Sequence, residues 1–360
     1  MGQQQSGFVV EVASPRLGRF QALPQKEPED DGVDTGLCES PTQQAAREWR
    51  ITRNPAAELF GTERLRALIH RLYHQRKLFT EQDAKLVLAA LYALDPSADL
   101  LLPLLTVVSN ATAHHANQAL MRDARITERI AEMASSRCAA GSRAARVMLL
   151  QCLANMAVAR ENHAILRRCT PNVMHRLSST DEVEAAVAMQ ALTNLSLDIQ
   201  PDQVSLLSDC VPLLLSRLWR RGEPCLDVLR LLVNLCCCPD MVPHVLGAKA
   251  VTGVLGILDS DKTEVLMRCV TWILCMSSAV DALQLGYEKL AAFNRDPFGN
   301  PSHTLFHSIF GAKAREHLEK RAAELTKHPQ REISTKSGRL LDILSQIPMP
   351  PAVGFHLNRL

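Results

Sequence analysis

The hydrophobic pattern repeats along the middle of the chain. A run of apolar residues at helical spacing ends near an asparagine, as in residues 189–196, MQALTNLS. This asparagine stands at four positions, Asn110, Asn155, Asn194 and Asn234, which are 45, 39 and 40 residues apart. A fifth apolar run, 41 residues further on, has Cys275 at the matching position. A period near 40 residues in a helical pattern is typical of stacked helical repeats.

Each unit is predicted to contain two short helices and one long helix. In the clearest unit these helices cover residues 161–168, 171–177 and 182–196. The other long helices are predicted at 98–111, 143–157, 226–236 and 265–276, with polar connectors such as 178–181, 220–224 and 259–262 between units. Three helices per unit is the armadillo plan. We therefore predict an all-α fold, an armadillo-type right-handed helical-repeat solenoid.

A second polar residue precedes each asparagine by one helical turn. The resulting pairs are Thr106/Asn110, Gln151/Asn155, Gln190/Asn194 and Arg230/Asn234. Residues four apart share one face of a helix, so stacked helices would align these pairs into a polar ladder. Asparagine can donate to and accept from the backbone of an extended peptide, which favours a peptide-binding groove. Alternatively, the asparagines bind the backbone of the neighbouring repeat and hold the stack.

The ladder carries one charged residue, Arg230. A guanidinium group pairs well with carboxylates, so this position favours an acidic group on the partner. Position 275, where the series continues without an asparagine, is predicted to lie at the end of the ladder.

Composition divides the chain into four parts. Residues 1–44 are rich in Pro, Gly and acidic residues and lack a sustained period, so a disordered tail is predicted. Residues 45–96 form a helical cap, with helices at 63–74 and 81–94, Thr80 as an N-cap, and Trp49, Leu65, Leu68 and Leu72 facing inward. Residues 97–347 form the repeat domain and its C-terminal capping helices, predicted at 304–310, 314–325 and 333–347. Residues 348–360 are irregular.

The first six residues, MGQQQS, fit the N-myristoylation pattern with Gly2 as the acceptor. A chance match is the alternative. A single myristoyl chain binds membranes only marginally, so a membrane surface is predicted as a weak partner. No segment reaches the roughly 18–20 consecutive apolar residues that a membrane-spanning helix needs.

Charge and motifs exclude several functional classes. The net charge is +2, which favours neither nucleic acid nor an acidic substrate. Two basic patches, Arg122/Arg125/Arg129 and Arg217/Arg220/Arg221, keep nucleic-acid binding as an unlikely alternative. Phosphate-binding glycine loops, nucleophile elbows and spaced metal ligands are absent from the sequence. We therefore predict no enzymatic activity, no cofactor, no metal and no small-molecule substrate.

The eleven cysteines indicate a reducing compartment. Most lie inside apolar helical pattern, where buried reduced cysteine acts as a small hydrophobe. The run 236–238, CCC, is an alternative redox or metal site. Against this alternative, consecutive residues diverge on a helix and no second ligand cluster lies nearby in sequence.

Several segments resemble one protein family. They are DVLRLLVNL at 227–235, PDM at 239–241, EVLMRCV at 264–270, LFHSIFG at 305–311 and LTKHP at 325–329. They are similar to the armadillo-like domain of the X-linked armadillo-repeat proteins, their autosomal relative, and the G-protein-coupled-receptor-associated sorting proteins. The resemblance covers roughly residues 95–330.

This resemblance implies a non-catalytic protein–protein interaction scaffold that acts in organelle trafficking or receptor sorting. The cysteine content and the Gly2 pattern predict a cytoplasmic location, peripheral on a cytosol-facing membrane, and the resemblance implies the mitochondrial outer membrane as one candidate. The chain departs from the mitochondrially anchored members because the N-terminal transmembrane segment is missing. A soluble nuclear or cytosolic adaptor, or a nucleic-acid-associated regulator, is the alternative.

Overall fold

The computed structural model describes residues 61–75, 78–135, 142–220, 222–249, 251, 253–293 and 303–348. Predictions for the tail at 1–44, for Gly2, for Trp49 and for residues 349–360 lie outside this part. The first half contains α1 Thr62–Gln75, α2 Glu81–Ala93, α3 Leu101–Ala111, α4 His115–Asp123, α5 Ile126–Ser135, α6 Arg143–Met156, α7 His163–Leu166, α8 Thr170–Leu177 and α9 Glu182–Leu195.

The second half contains α10 Val204–Ser208, α11 Val211–Ser216, β1 Trp219–Arg220, β2 Glu223–Pro224, α12 Leu226–Cys236, α13 Val242–Leu246, α14 Thr263–Leu283, α15 Tyr287–Leu290, α16 Leu305–Phe310, α17 Ala312–Leu325 and α18 Arg331–Gln346. Short 3-10 turns at Arg160–Asn162, Arg167–Cys169, Pro201–Gln203, Pro239–Met241, Val254–Asp259 and Ala291–Phe293 join them.

The unit that ends in α9 shows how the sequence specifies each helix. Pro171 stands in the first turn of α8, where its missing N–H is not needed. Asp181 caps α9 because its Oδ1 accepts hydrogen bonds from the N–H groups of Val183 and Glu184 at 3.0 and 3.4 Å. The predicted helix at 161–168 is instead a short α7 between two 3-10 turns.

The long helices pack side by side in chain order. Helix α6 lies between α3 and α9, α12 packs on α9, and α14 lies between α12 and α18. We call α3, α6, α9, α12 and α14 the ladder helices. One continuous hydrophobic core runs along them, and Leu192 at its middle is 1% exposed.

Helix α14 is longer than the sequence pattern predicted. It continues to Leu283, beyond the predicted end at 276, and its Trp272 is fully buried. Within the described residues, α14 alone has the length and apolar character of a single membrane-crossing helix, but 61% of its most apolar window is buried in the fold. Its sequence is not a run of consecutive apolar residues, because Arg268, Ser277 and Ser278 interrupt it.

The connector predicted at 220–224 is a two-residue antiparallel hairpin, with Trp219 paired to Pro224 and Arg220 to Glu223. Gly222 has a φ of +82°, a left-handed conformation that glycine adopts without a steric cost. The hairpin carries the chain sharply into α12, and it is a small exception to the all-helical prediction.

Both ends of the solenoid are capped by helices. At the N-terminal end, Thr80 and Asp83 form a capping box for α2, and Leu65, Leu68 and Leu72 are buried as predicted. At the C-terminal end, α16 stops at Gly311. A side chain there would clash with the carbonyl oxygen of His307, which would lie 2.5 Å from its Cβ.

Candidate functional site

The eight predicted ladder residues all lie on the ladder helices. Asn155 and Asn234 are largely buried, Asn110 is exposed, and the other five are half-buried. The polar ladder is therefore a continuous strip across α3, α6, α9 and α12. Its role in peptide binding remains a prediction. The hydrogen bonds of each residue show which of its donors and acceptors are available to a partner.

Three of the four ladder asparagines donate hydrogen bonds to the preceding repeat. The Nδ2 of Asn194 lies 2.7 Å from the carbonyl oxygen of Ala154, and that of Asn234 lies 2.8 Å from the oxygen of Thr193. The Nδ2 of Asn155 lies 3.2 Å from the oxygen of Ser109. In every case the acceptor is the residue just before the preceding asparagine. Because a carbonyl oxygen can only accept a hydrogen bond, the amide atom that faces it must be the side-chain nitrogen of the asparagine.

These bonds reach carbonyls that a helix end leaves without a backbone donor. The last four carbonyls of a helix lack intrahelical donors. At the end of α6 the N–H of Ala157 bonds Leu153 and that of Val158 bonds Asn155, so the oxygen of Ala154 is passed over. Asn194 fills this position from the next repeat. The ladder asparagines thus hold the stack, as the alternative interpretation proposed.

The amide oxygens differ along the ladder. The Oδ1 of Asn155 accepts a 2.9 Å hydrogen bond from Gln151. In the described part of the chain, the Oδ1 atoms of Asn194 and Asn234 accept none, and neither is a buried atom without a partner. They remain available to donors from outside, so a stacking role for the nitrogen and a binding role for the oxygen are compatible.

Arg230 is less available than the sequence suggested. Its guanidinium donates to Asp227 at 3.1 Å and to Glu264 of the next ladder helix at 2.5 Å. These carboxylates neutralise the charge locally, so an acidic partner group would have to compete with them. The expectation that Arg230 selects an acidic partner is weakened for this physical reason.

An apolar row lies beside the ladder and was missed by the sequence analysis. One turn before each polar residue, the helices carry an apolar residue that is at least partly exposed: Leu102, Val147, Ala186, Leu226 and Met267. Each ladder helix therefore presents an apolar and a polar position four residues apart, followed four residues later by an asparagine or, on α14, by Cys275. We call this surface the ladder face. The spacing was visible in the sequence, but its exposure was not.

A cavity opens at the N-terminal end of the ladder face. Its volume is about 410 Å³, and it lies between α1 and α3. The lining residues are Arg66, Ile69, His70, Tyr73, His74, Leu100, Leu102, Pro103 and Thr106. Tyr73 is 54% exposed at its mouth. Leu102 and Thr106 belong to the ladder face, so the cavity is continuous with it.

A second amide series is buried and structural. Asn117 and Asn162 are fully buried, and their Nδ2 atoms lie 2.9 Å from the carbonyl oxygens of Ala111 and Met156 at the ends of ladder helices. Both stand seven residues after a ladder asparagine, a spacing that could have been found in the sequence. They fix the turn into the next unit.

Two arginines of the basic patches make contacts inside the fold. Arg129 is buried, with its guanidinium carbon 4.3 Å from the centre of the Tyr92 ring. Arg217 donates to the carbonyl of Leu177 at 2.6 Å. These contacts make Arg129 and Arg217 less available to nucleic-acid phosphates.

The ladder changes character at its C-terminal end. The Nζ of Lys336, from α18, donates to the Oγ1 of Thr271 at 2.9 Å, so α18 reaches the polar row. Position 275 holds a cysteine in place of an asparagine. The N–H of Cys237 bonds the carbonyl of Val233 at 2.9 Å, which is the carbonyl that corresponds to those of Ala154 and Thr193.

Comparisons with known proteins agree with this architecture. A family model described as Armadillo-like matches residues 80–288, more than half of the chain. The crystal structure of an engineered protein is 15% identical, with a TM-score of 0.51, over 75% of this chain and 99% of that one. The designed armadillo repeat protein YIII(Dq)4CqI is 13% identical, also at 0.51, over 72% and 99%. These likenesses show the fold alone, and no curated protein matches significantly.

Proposed function

The chain belongs to the Armadillo-like family, and from this premise we propose that it is a non-catalytic scaffold that binds a segment of a partner protein along the ladder face. The observation that carries the proposal is the ladder face itself. Five stacked helices present matched apolar and polar rows, four of them add an amide, and these rows lead into one open cavity.

The contacts indicate the kind of segment that would fit. The free Oδ1 atoms of Asn194 and Asn234 need hydrogen-bond donors, which the backbone N–H groups of an extended segment supply. The apolar row would bury alternate side chains of that segment. The cavity would take an apolar or aromatic side chain, since Ile69, Leu100 and Leu102 lie in its lining. Buried anchors of this kind dominate binding energy at protein interfaces.

A peptide selection tests this proposal. Twelve-residue peptides are selected from a random display library against the folded full chain, and their dissociation constants are measured by fluorescence anisotropy. The variants are Ala186→Glu in the apolar row, Gln190→Arg in the polar row and Tyr73→Ala at the cavity mouth. We expect each to weaken binding by about tenfold or more, as loss of a central contact does.

The matched control is His175→Ala, an exposed position on α8, which carries none of the ladder residues. It should leave binding unchanged, and thermal unfolding should show that all four variants are folded. Selected peptides that bind the ladder-face variants as tightly as the wild type would overturn the proposal.

We further propose that Gly2 is myristoylated and brings the scaffold to a cytosol-facing membrane, in a role in organelle trafficking or receptor sorting. The pattern MGQQQS and the family resemblance support this proposal. Metabolic labelling with an alkyne myristate analogue tests it. The wild-type chain should incorporate the label and Gly2→Ala should not; equal labelling of both would contradict it.

A further inference from the structure

The cavity at the N-terminal end of the ladder face has one basic wall. Arg66, His70 and His74 stand four residues apart on α1, so they share one face of this helix, and all three line the cavity. Their side chains are exposed. The centroids of the His70 and His74 rings lie 4.4 Å apart, and the Tyr73 ring meets that of His74 edge-on at 5.3 Å. The wall therefore presents one guanidinium group and two imidazoles side by side.

The opposite wall carries no charge. It is lined by Leu100, Leu102, Pro103 and Thr106, and α3 contains no charged residue. The hydroxyl of Thr106 donates to the carbonyl oxygen of Leu102 at 2.8 Å. Among the described residues that line the cavity, none is acidic. A bound segment would thus meet an apolar surface on one side and a row of hydrogen-bond donors on the other.

Arg66 is more available to a partner than Arg230 is. Its described ion pair is with Glu63 at 2.9 Å, and the two side chains are 60% and 85% exposed. A surface pair of this kind contributes little, so an incoming carboxylate can replace Glu63. Arg230 is held instead by two carboxylates, one of them on the next ladder helix. The acidic preference that the sequence assigned to Arg230 therefore fits the cavity better.

The two histidines strengthen this preference. A neutral imidazole carries one N–H group and a charged imidazole carries two, so His70 and His74 can donate to a carboxylate in either form. The planar guanidinium group of Arg66 can donate two parallel hydrogen bonds to one carboxylate. The three side chains together can surround a single acidic group at the edge of the cavity.

We propose that the cavity selects an acidic segment of a partner protein. An aromatic or large apolar anchor enters between α1 and α3, and an Asp or Glu one or two residues from the anchor pairs with Arg66 and the histidines. An extended chain advances about 3.3 Å per residue and one turn of α1 about 5.4 Å, so this spacing brings the acidic group beside the basic wall. The inference rests on the proposed function and names the partner's chemistry at one end of the ladder face.

The experiment repeats the peptide selection with the same library against Arg66→Gln. We expect Asp or Glu to be enriched beside the anchor in peptides selected by the wild type and not in those selected by the variant. Fluorescence anisotropy then compares the leading acidic peptide with its Asn or Gln analogue. Removing the peptide's charge should weaken binding to the wild type by about two- to tenfold and should change binding to Arg66→Gln little.

The matched control is Arg64→Gln, which removes an exposed arginine of the same helix that does not line the cavity. It should preserve the difference between the acidic peptide and its analogue. The double change His70→Ala with His74→Ala should reduce that difference. Added salt should weaken the acidic peptide more on the wild type than on Arg66→Gln, because the charges are exposed. Thermal unfolding checks that every variant is folded.

Failure of this inference differs from failure of the proposed function. Peptides that respond to Ala186→Glu and Gln190→Arg, but carry no acidic residue beside the anchor, overturn the acidic preference alone. An acidic peptide that binds Arg66→Gln as tightly as the wild type overturns it too. Peptides that ignore the ladder-face variants overturn both proposals.

Other occupants of the cavity would give different results. Residues 27–39 of this chain include six acidic and no basic residues. If Asp30→Asn with Asp31→Asn strengthens binding of the acidic peptide, this segment occupies the cavity, and the assignment to a partner is overturned. A dimer in light scattering that Arg66→Gln converts to a monomer would assign the cavity to a second copy and overturn it as well. We expect an unchanged affinity and a monomer.

Discussion

The two ends of the ladder face share one repeat pattern but differ in what covers them. At the N-terminal end, Thr106 lines an open cavity and Asn110 is exposed. At the C-terminal end, Lys336 of α18 reaches Thr271, and Cys275 stands where an asparagine would be. The capping helices, more than the repeats, therefore determine whether the ladder face is open or covered at each end.

The difference follows from how a solenoid is built. Every internal repeat contacts only its neighbours. A polar side chain on one ladder helix can therefore form hydrogen bonds with the ladder helix that precedes it in the chain. Asn110 is on the first ladder helix and has no ladder helix before it to bond. Asn194 and Asn234 each bond the preceding repeat. In the part of the chain that the structure describes, the asparagine consequently bonds a neighbouring repeat in the middle of the ladder, whereas Asn110 at its start does not.

The largest expected effect comes from the core that both ends depend on. Leu192→Ala should destabilise the fold by about 2–5 kcal/mol, because Leu192 is buried between repeats and truncation leaves a cavity. Chemical denaturation measures the change. The control Val183→Ala, on the same helix but 38% exposed, should cost less than about 0.5 kcal/mol. Equal costs would mean that the helix faces are assigned wrongly.

A smaller effect should separate the start of the ladder from its middle. Asn194→Ala should cost about 1–2 kcal/mol, since it leaves the buried end of α6 without its donor. Asn110→Ala should cost less than about 0.5 kcal/mol, as exposed substitutions do. The comparison fails if Asn110→Ala proves as destabilising as Asn194→Ala.

The N-cap of α9 should show the next effect. Asp181→Ala should cost about 1 kcal/mol through loss of the cap. Arg143, which also donates to Asp181, lowers the pKa of this carboxyl to about 2. Because the folded-state pKa is depressed, the contribution is complete above the unfolded value near 3.8 and disappears as the pH falls towards 2. Acid titration of unfolding should show this loss in the wild type and not in Asp181→Asn.

The sequence predicted the ladder helices well and their contacts poorly. The apolar period and Thr80 were visible locally, so α2, α6, α9 and α12 begin where predicted. The partner of Asn194 depends on which carbonyl α6 leaves unpaired, and a hydrophobic pattern does not encode that detail.

The most direct test of the account places a benzophenone side chain at single positions of the folded chain and irradiates it with a selected peptide bound. Positions Tyr73 and Ala186 sample the cavity mouth and the middle of the ladder face, and His175 samples α8. The account predicts efficient cross-linking from 73 and 186, at different peptide residues, and background cross-linking from 175. Efficient cross-linking from 175 with none from 73 and 186 would contradict it.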